Sequence, residues 1–166
     1  MSDSIRIALA DYANAQHAQA VVHMLDAYAR DPMGGGHPLS DFARAHLVAE
    51  LARVPNAFSL LAFDGLSDDK PVGLVNCMQG FSTFACKPLI NVHDLAVLAG
   101  YRGQRIGERL LERVAQIARQ RGACKVTLEV LSGNASAMRL YDRAGFAAYT
   151  LDPEAGQALL LQKWLP

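Results

Sequence analysis

The stretch Val97-Leu98-Ala99-Gly100-Tyr101-Arg102-Gly103-Gln104-Arg105-Ile106-Gly107 has the makings of an anion site. It leads from an apolar run into a helically periodic one, so it reads as a strand-to-helix turn. Gly100, Gly103 and Gly107 remove side chains where a backbone can approach a ligand closely. The first turn of the helix offers N–H groups without intrahelical partners and the positive end of the dipole. Such an end suits a pyrophosphate. Arg102 and Arg105 add full charges. The turn is not a P-loop, because G-x-x-x-x-G-K-S/T is absent, and it is not the dinucleotide fingerprint G-x-G-x-x-G. Alone it is weak evidence, since glycine-bearing turns also serve plain chain reversal.

Just upstream, Asn91-Val92-His93-Asp94-Leu95-Ala96-Val97 places His93 and Asp94 in mid-strand. Strict alternation sends their side chains to opposite faces, so one of the two would face a substrate. A histidine there can accept a proton near neutral pH. The plainer reading, a histidine hydrogen-bonded within the sheet, carries equal weight. No metal is expected, because the five histidines lack ligand spacing and neither C-x-x-C nor H-E-x-x-H occurs. Cys77, Cys86 and Cys124 are far apart and odd in number, which fits reduced thiols and a cytoplasmic location. No G-x-S-x-G argues for a serine nucleophile.

The elements that must position these groups alternate along the chain. Ser4 to Ala10 reads as a strand. Asp11 can cap a helix to about Arg30, with Val21, Val22, Leu25 and Tyr28 roughly on one face. Asp31 to Pro38 must be a loop, and Ser40 can cap a second helix bearing Phe42, Leu47, Val48 and Leu51. Phe58 to Phe63 and Val72 to Gln79 flank a turn-rich stretch and form a hairpin. Phe81 to Pro88 is an aromatic connection and Leu89 to Val97 a strand. Gln104 to Arg121 is the clearest helix, with Ile106, Leu110, Val114, Ile117 and Ala118 at helical spacing and Gly122 at its end. Lys125 to Leu131 is a strand, Asn134 to Ala144 a helix, and Phe146 to Thr150 and Ala158 to Lys163 two closing strands. The pattern predicts a mixed α/β layer fold in one domain over residues 1–166.

A chain of 166 residues, 51% hydrophobic and 19% charged, suits one globular core. Its formal net charge of zero gives no global basic field, so no nucleic acid and no membrane partner is expected. No apolar run has the length of a membrane span, and Met1 to Ser4 opens no secretory signal. Charge is uneven locally: residues 98–125 hold seven bases against two acids, and residues 1–53 six acids against four bases. Most of those arginines are best read as a solvated helix face.

The turn gains meaning from a second motif. Arg102-x-x-Arg105-x-Gly107 resembles the R/Q-x-x-G-x-G/A coenzyme A signature of the GNAT acetyltransferase superfamily. Asn134-Ala135-Ser136-Ala137-Met138-Arg139-Leu140-Tyr141-Asp142-Arg143-Ala144-Gly145-Phe146 resembles that family's N-x-x-A-x-x-L-Y-x-x-x-G-F element. The close likeness covers roughly residues 88–150. Arg105 departs from it, since the family usually has glycine there.

The resemblance implies a GNAT fold: a mixed, mostly antiparallel sheet of about seven strands flanked by about four helices, with splayed central strands. It implies acetyl-CoA as acyl-donor cosubstrate, its arm against the backbone of Leu95, Ala96 and Val97. Its pyrophosphate would lie on the N–H groups of Arg102, Gly103, Gln104, Arg105, Ile106, Gly107 and Glu108. Asn134 would bond the cofactor arm, or serve as a helix N-cap, or both. Tyr141 matches the position that often protonates the leaving sulfur; its alternative is ordinary aromatic packing. His93 stands where polyamine-type relatives tend to carry a glutamate, which makes it the candidate base, with Asp94 or a water chain as alternatives.

The activity implied is direct acetyl transfer to a primary amine. The acidic excess of the first two helices points to a small, cationic acceptor, and the tail around Asp152-Pro153-Glu154 is faintly similar to the diamine and thialysine acetyltransferase group. Many relatives dimerise, which leaves a homodimer open, with Phe81 to Phe84 as a candidate contact. Two other readings stand beside this one: a non-catalytic coenzyme A-binding or sensing module of the same fold, and a plain nucleotide-phosphate binder.

Overall fold

The computed structural model describes residues 4–165; Met1 to Asp3, on which much of the secretory-signal reading rests, lie outside the described residues. The chain divides into two compact units, one ending at Leu128 and the other beginning at Glu129.

The first unit is a five-stranded sheet with helices on both faces. In chain order it holds β1 (Ile5–Leu9), α1 (Ala15–Arg30), α2 (Asp41–Leu51), β2 (Phe58–Asp64), β3 (Lys70–Ser82), β4 (Lys87–Val97), α3 (Ile106–Gln120) and β5 (Val126–Leu128). Strand order follows sequence order. The pairs β1/β2, β2/β3 and β3/β4 are antiparallel and β4/β5 is parallel.

Local chemistry explains most boundaries. Asn14, not Asp11, caps α1: its Oδ1 accepts from the N–H groups of Gln16 and His17. Asp11 is used up in a turn of its own, where Oδ1 accepts from Ala13 N–H at 2.9 Å. Ser40 caps α2 through Ala43 N–H. The core face of α1 is Ala20, Val21 and Met24, with Leu25 and Tyr28 partly buried beside it. Phe42 of α2 is exposed and stacks on His46 instead of joining the core. Half of the segment expected to connect strands, Phe81 to Pro88, is ladder, because β3 and β4 stay paired out to Ser82 and Lys87.

Cross-strand partners share a face. Leu61, Leu74 and Ala96 lie opposite one another and pack with Val21 and Met24 of α1. Gly73 and Ala62 belong to the other face, which α3 covers. A Cβ on Gly73 would come within 3.1 Å of Ile106 and Leu110. That contact seats the N-terminal turn of α3 against β3. Ile106, Leu110, Leu111, Val114, Ile117 and Ala118 bury the apolar stripe of α3, at about 1.5–3 kcal/mol for each large side chain.

The second unit holds α4 (Ala135–Arg143), capped by Asn134, and a short helical turn at Pro153–Ala155. The two closing strands expected at 146–150 and 158–163 do not form: the described residues contain five strands, not about seven. An apolar stretch becomes a strand only where a neighbouring edge completes the ladder, and these stretches enter none. The strand expected from Lys125 likewise stops at Leu128. No helix among the described residues is long and apolar enough to cross a membrane.

Candidate functional site

Within the first unit, the edge of β4 is half covered. Ile90, Asn91 and Val92 pair with Val126, Thr127 and Leu128, and beyond that point β5 ends while β4 runs on beside β3 to Val97. Two backbone bonds fix which groups point outward. Ile90 N–H reaches towards β5, to Lys125 O at 3.1 Å, whereas Leu98 N–H reaches towards β3, to Val72 O at 3.0 Å. Ile90 and Leu98 are an even number of residues apart, so a regular strand would point both the same way. A bulge accounts for the switch: Val92 faces Cys77 and Asp94 faces Asn76, which leaves His93 as the extra residue. Leu95 and Val97 therefore turn their backbone groups to the uncovered edge, and Asp94 and Ala96 turn theirs to β3.

The bulge also changes the side chains. Strict alternation does not hold at His93, so His93 and Asp94 are not simply sent to opposite faces. His93 is exposed, and its Nδ1 lies 2.9 Å from Asn91 Oδ1. Asn91 Nδ2 in turn donates to Thr127 Oγ1 at 3.1 Å. In this orientation of the amide, Nδ1 is the donor and Nε2 carries the lone pair of the neutral ring. Asp94 accepts from Asn76 Nδ2 at 3.0 Å.

The turn after β4 is tied down at several points. Arg102 Nε donates to the Val97 carbonyl at 3.1 Å and Nη2 to Asp31 at 2.8 Å. That bond, followed by one from Met33 N–H, holds the Asp31 carboxyl below its ordinary value of 3.8. The Tyr101 hydroxyl donates to Asp64 at 3.0 Å. Gly103 and Gln104 are exposed, with Gln104 Nε2 3.5 Å from Gly100 O. Arg105 takes φ 59 and ψ 17, the left-handed region, and precedes α3 without any side-chain cap. The first-turn donors of α3 belong to Ile106, Gly107 and Glu108, of which Ile106 and Gly107 are buried. The sequence thus gathers His93, Leu95, Ala96, Val97 and Arg102 to Glu108 along one strand and the helix that follows it.

Asn134 and Tyr141 belong to the second unit. Asn134 Oδ1 accepts from Ala137 N–H at 3.1 Å, so its N-cap role is filled. The Tyr141 ring stands edge-on to Phe146, with centroids 5.9 Å apart.

Sequence reasoning passed over four residues beside this edge. Ser59 and Asn76 are buried among apolar neighbours in β2 and β3, and they join Tyr12 to Asp94. Tyr28 lies near two carboxylates: burial raises its phenol pKa, and the charges of Asp94 and Asp31 raise it further. Two polar residues inside apolar strands were the available signal.

Residues 12–146 match the acetyltransferase (GNAT) family. The chain belongs to that family. It is 38% identical over 84 residues to streptothricin acetyltransferase of Streptomyces lavendulae, covering 49% of this chain and 44% of that one. It is 39% identical over 56 residues to thialysine N-epsilon-acetyltransferase of Bos taurus, covering 34% of this chain and 33% of that one. In both, the match spans less than half of the relative's own length. In fold, it is similar to an aminoglycoside acetyltransferase, meta-AAC0020, from an uncultured soil metagenomic sample, solved in complex with sisomicin. That likeness has a TM-score of 0.78 at 18% identity, over 99% of this chain and 98% of the other. The GNAT chain described here thus has an α/β fold with a mixed sheet, as the family requires.

Proposed function

We propose that this GNAT protein transfers the acetyl group of acetyl-CoA directly to a primary amine of a small, cationic acceptor, with both units acting as one domain. The observation that carries the reading is the uncovered edge of β4. Backbone groups of Leu95 and Val97 face it, and it leads into the uncapped N-terminus of α3. An extended amide-bearing arm suits the first and a pyrophosphate the second. The acceptor class is supported by relatives named for acetylating streptothricin and thialysine.

In the reaction the amine nitrogen attacks the thioester carbonyl, the carbon–sulfur bond breaks, and one proton moves from the amine to a base. His93 is that base, acting through Nε2, which the Asn91 bond leaves as the acceptor atom. A second proton goes to the thiolate, and Tyr141 supplies it. That role rests on the N-x-x-A-x-x-L-Y-x-x-x-G-F match. Alkyl amines have pKa values of about 10.4 and thiols about 8.5, so both transfers need a positioned group near neutral pH.

The test is release of free thiol from acetyl-CoA across a panel of amines. Thiol release that depends on the amine supports transfer. Tight acetyl-CoA binding without release from any amine favours the non-catalytic module, and stronger stabilisation by ATP than by acetyl-CoA favours a nucleotide-phosphate binder.

A further inference from the structure

We propose that Asp94 is the anion that receives the acceptor's ammonium group, held for that role by a one-way chain of hydrogen bonds from Tyr12 through Ser59 and Asn76. This rests on the reading of an amine acceptor. It adds the residue that selects the acceptor for charge.

The chain is built into the sheet register. Ser59 lies opposite Asn76 and Asn76 opposite Asp94, so the three side chains form a row across β2, β3 and β4 on the face that α1 covers. The next row on that face is Leu61, Leu74 and Ala96, all buried. Polar groups at 0% and 2% exposure beside such a row are costly unless every bond is made. Here they are made. Tyr12 Oη is 2.8 Å from Ser59 Oγ, Ser59 Oγ is 2.6 Å from Asn76 Oδ1, and Asn76 Nδ2 is 3.0 Å from Asp94 Oδ2.

Donor chemistry gives the chain a direction. An amide oxygen only accepts, so the Ser59 hydroxyl hydrogen goes to Asn76 Oδ1. Tyr12 must then donate to Ser59. The Asn76 amide gives its hydrogen to Asp94, whose ionised carboxylate only accepts. Every dipole in the row points at Asp94, and successive bonds strengthen one another in a low-dielectric interior. The amide link does not pass a proton along, so the row orients and polarises the carboxylate rather than relaying charge.

The carboxylate has a second oxygen to offer. Among the described residues Asp94 Oδ1 has no hydrogen bond, and no fully buried side-chain nitrogen or oxygen lacks a partner, so Oδ1 is not fully buried. A row serving packing alone has no need to end on a charge with one oxygen left unbonded and not fully buried. Asp94 immediately precedes Leu95, whose backbone faces the uncovered edge. The phenol of Tyr28 is close enough to feel the Asp94 charge.

The test compares cadaverine with its uncharged counterpart pentanediol. Binding to the coenzyme A-saturated protein is measured by calorimetry. Asp94→Asn keeps the acceptor for Asn76 and removes the charge, so the fold is retained. It should weaken cadaverine about tenfold or more, the scale of a lost charge-assisted bond, and leave pentanediol and coenzyme A unchanged. Tyr12→Phe keeps the carboxylate but removes the outermost donor, and it should weaken cadaverine about threefold with coenzyme A affinity unchanged. Equal cadaverine affinity in wild type and Asp94→Asn overturns the proposal, as does a wild-type protein that binds no cadaverine. Cadaverine binding that Asp94→Asn abolishes, without thiol release from acetyl-CoA, upholds the cation site and sinks the transfer reading. Thiol release by Asp94→Asn at the wild-type kcat/KM for amines does the reverse.

Discussion

Arg102 and Asp31 are joined by a 2.8 Å bond across 71 residues of chain, and the same guanidinium holds the Val97 carbonyl. One arginine therefore ties the loop after α1 to the start of the turn that leads into α3. In its phosphate role Arg102 would act from a position that Asp31 already fixes.

The pair sets a pH dependence. The Asp31 carboxyl titrates below 3.8 when folded, so its contribution is complete above that value and is lost as pH falls through the folded pKa. Asp31→Asn keeps the cap on Met33 N–H and removes the charge. It should lower stability by about 0.5–1 kcal/mol, since Arg102 is half exposed. In thermal melts the gap should be constant between about pH 5 and pH 8 and close in stronger acid. A gap that persists undiminished in acid would show that the ion pair is not its source.

The conformation of Arg105 accounts for the glycine that the family usually has at this position. Its φ of 59 is a conformation that costs an L-residue about 1 kcal/mol or more and costs glycine nothing. Arg105→Gly should raise stability by up to about 1 kcal/mol in chemical denaturation. A side chain that also serves the phosphates predicts, in the same variant, a higher KM for acetyl-CoA. Higher stability with an unchanged KM would mean that the arginine is merely tolerated there.

These two residues mark where the sequence could and could not be read. The helix from Ile106 was legible because its apolar spacing is a local property, and the motif around Arg102 was legible as a string. The conformation of Arg105 is set by how β4 hands over to α3, which no local pattern encodes. The bulge at His93 is a matter of register with β3, so strand alternation misread the side chains around it. Ser59 and Asn76 carried no reading until pairing placed them in one row with Asp94. The closing strands failed for the opposite reason: their apolar residues were plain in the sequence, and no ladder forms on them.

The three cysteines differ sharply in burial. Burial pushes the Cys77 thiol up to about 12, while Cys86 and Cys124 are exposed. A disulfide-exchange reagent at about pH 8 should therefore titrate the two exposed thiols in the native protein and Cys77 only after denaturation. Rapid native labelling of all three would contradict the burial of Cys77 on the α3 side of the sheet. The outcome also sets the protein background for any thiol-release assay.

The proposed chemistry turns on His93 and Tyr141. If His93 takes the amine proton through Nε2, His93→Ala should lower kcat by about a hundredfold or more with little change in the KM for acetyl-CoA. Tyr141→Phe should act in the same direction, because it removes the proton for the leaving thiolate. Asn91→Ala offers a finer test. It removes the bond that fixes the His93 tautomer, so kcat should fall several-fold while the imidazole itself stays in place. Steady-state kinetics with an accepted amine reads all three. Wild-type rates in both His93→Ala and Tyr141→Phe would remove these side chains from the mechanism and leave the base to water. Loss in His93→Ala with no change in Asn91→Ala would keep the base but deny the tautomer any part in it.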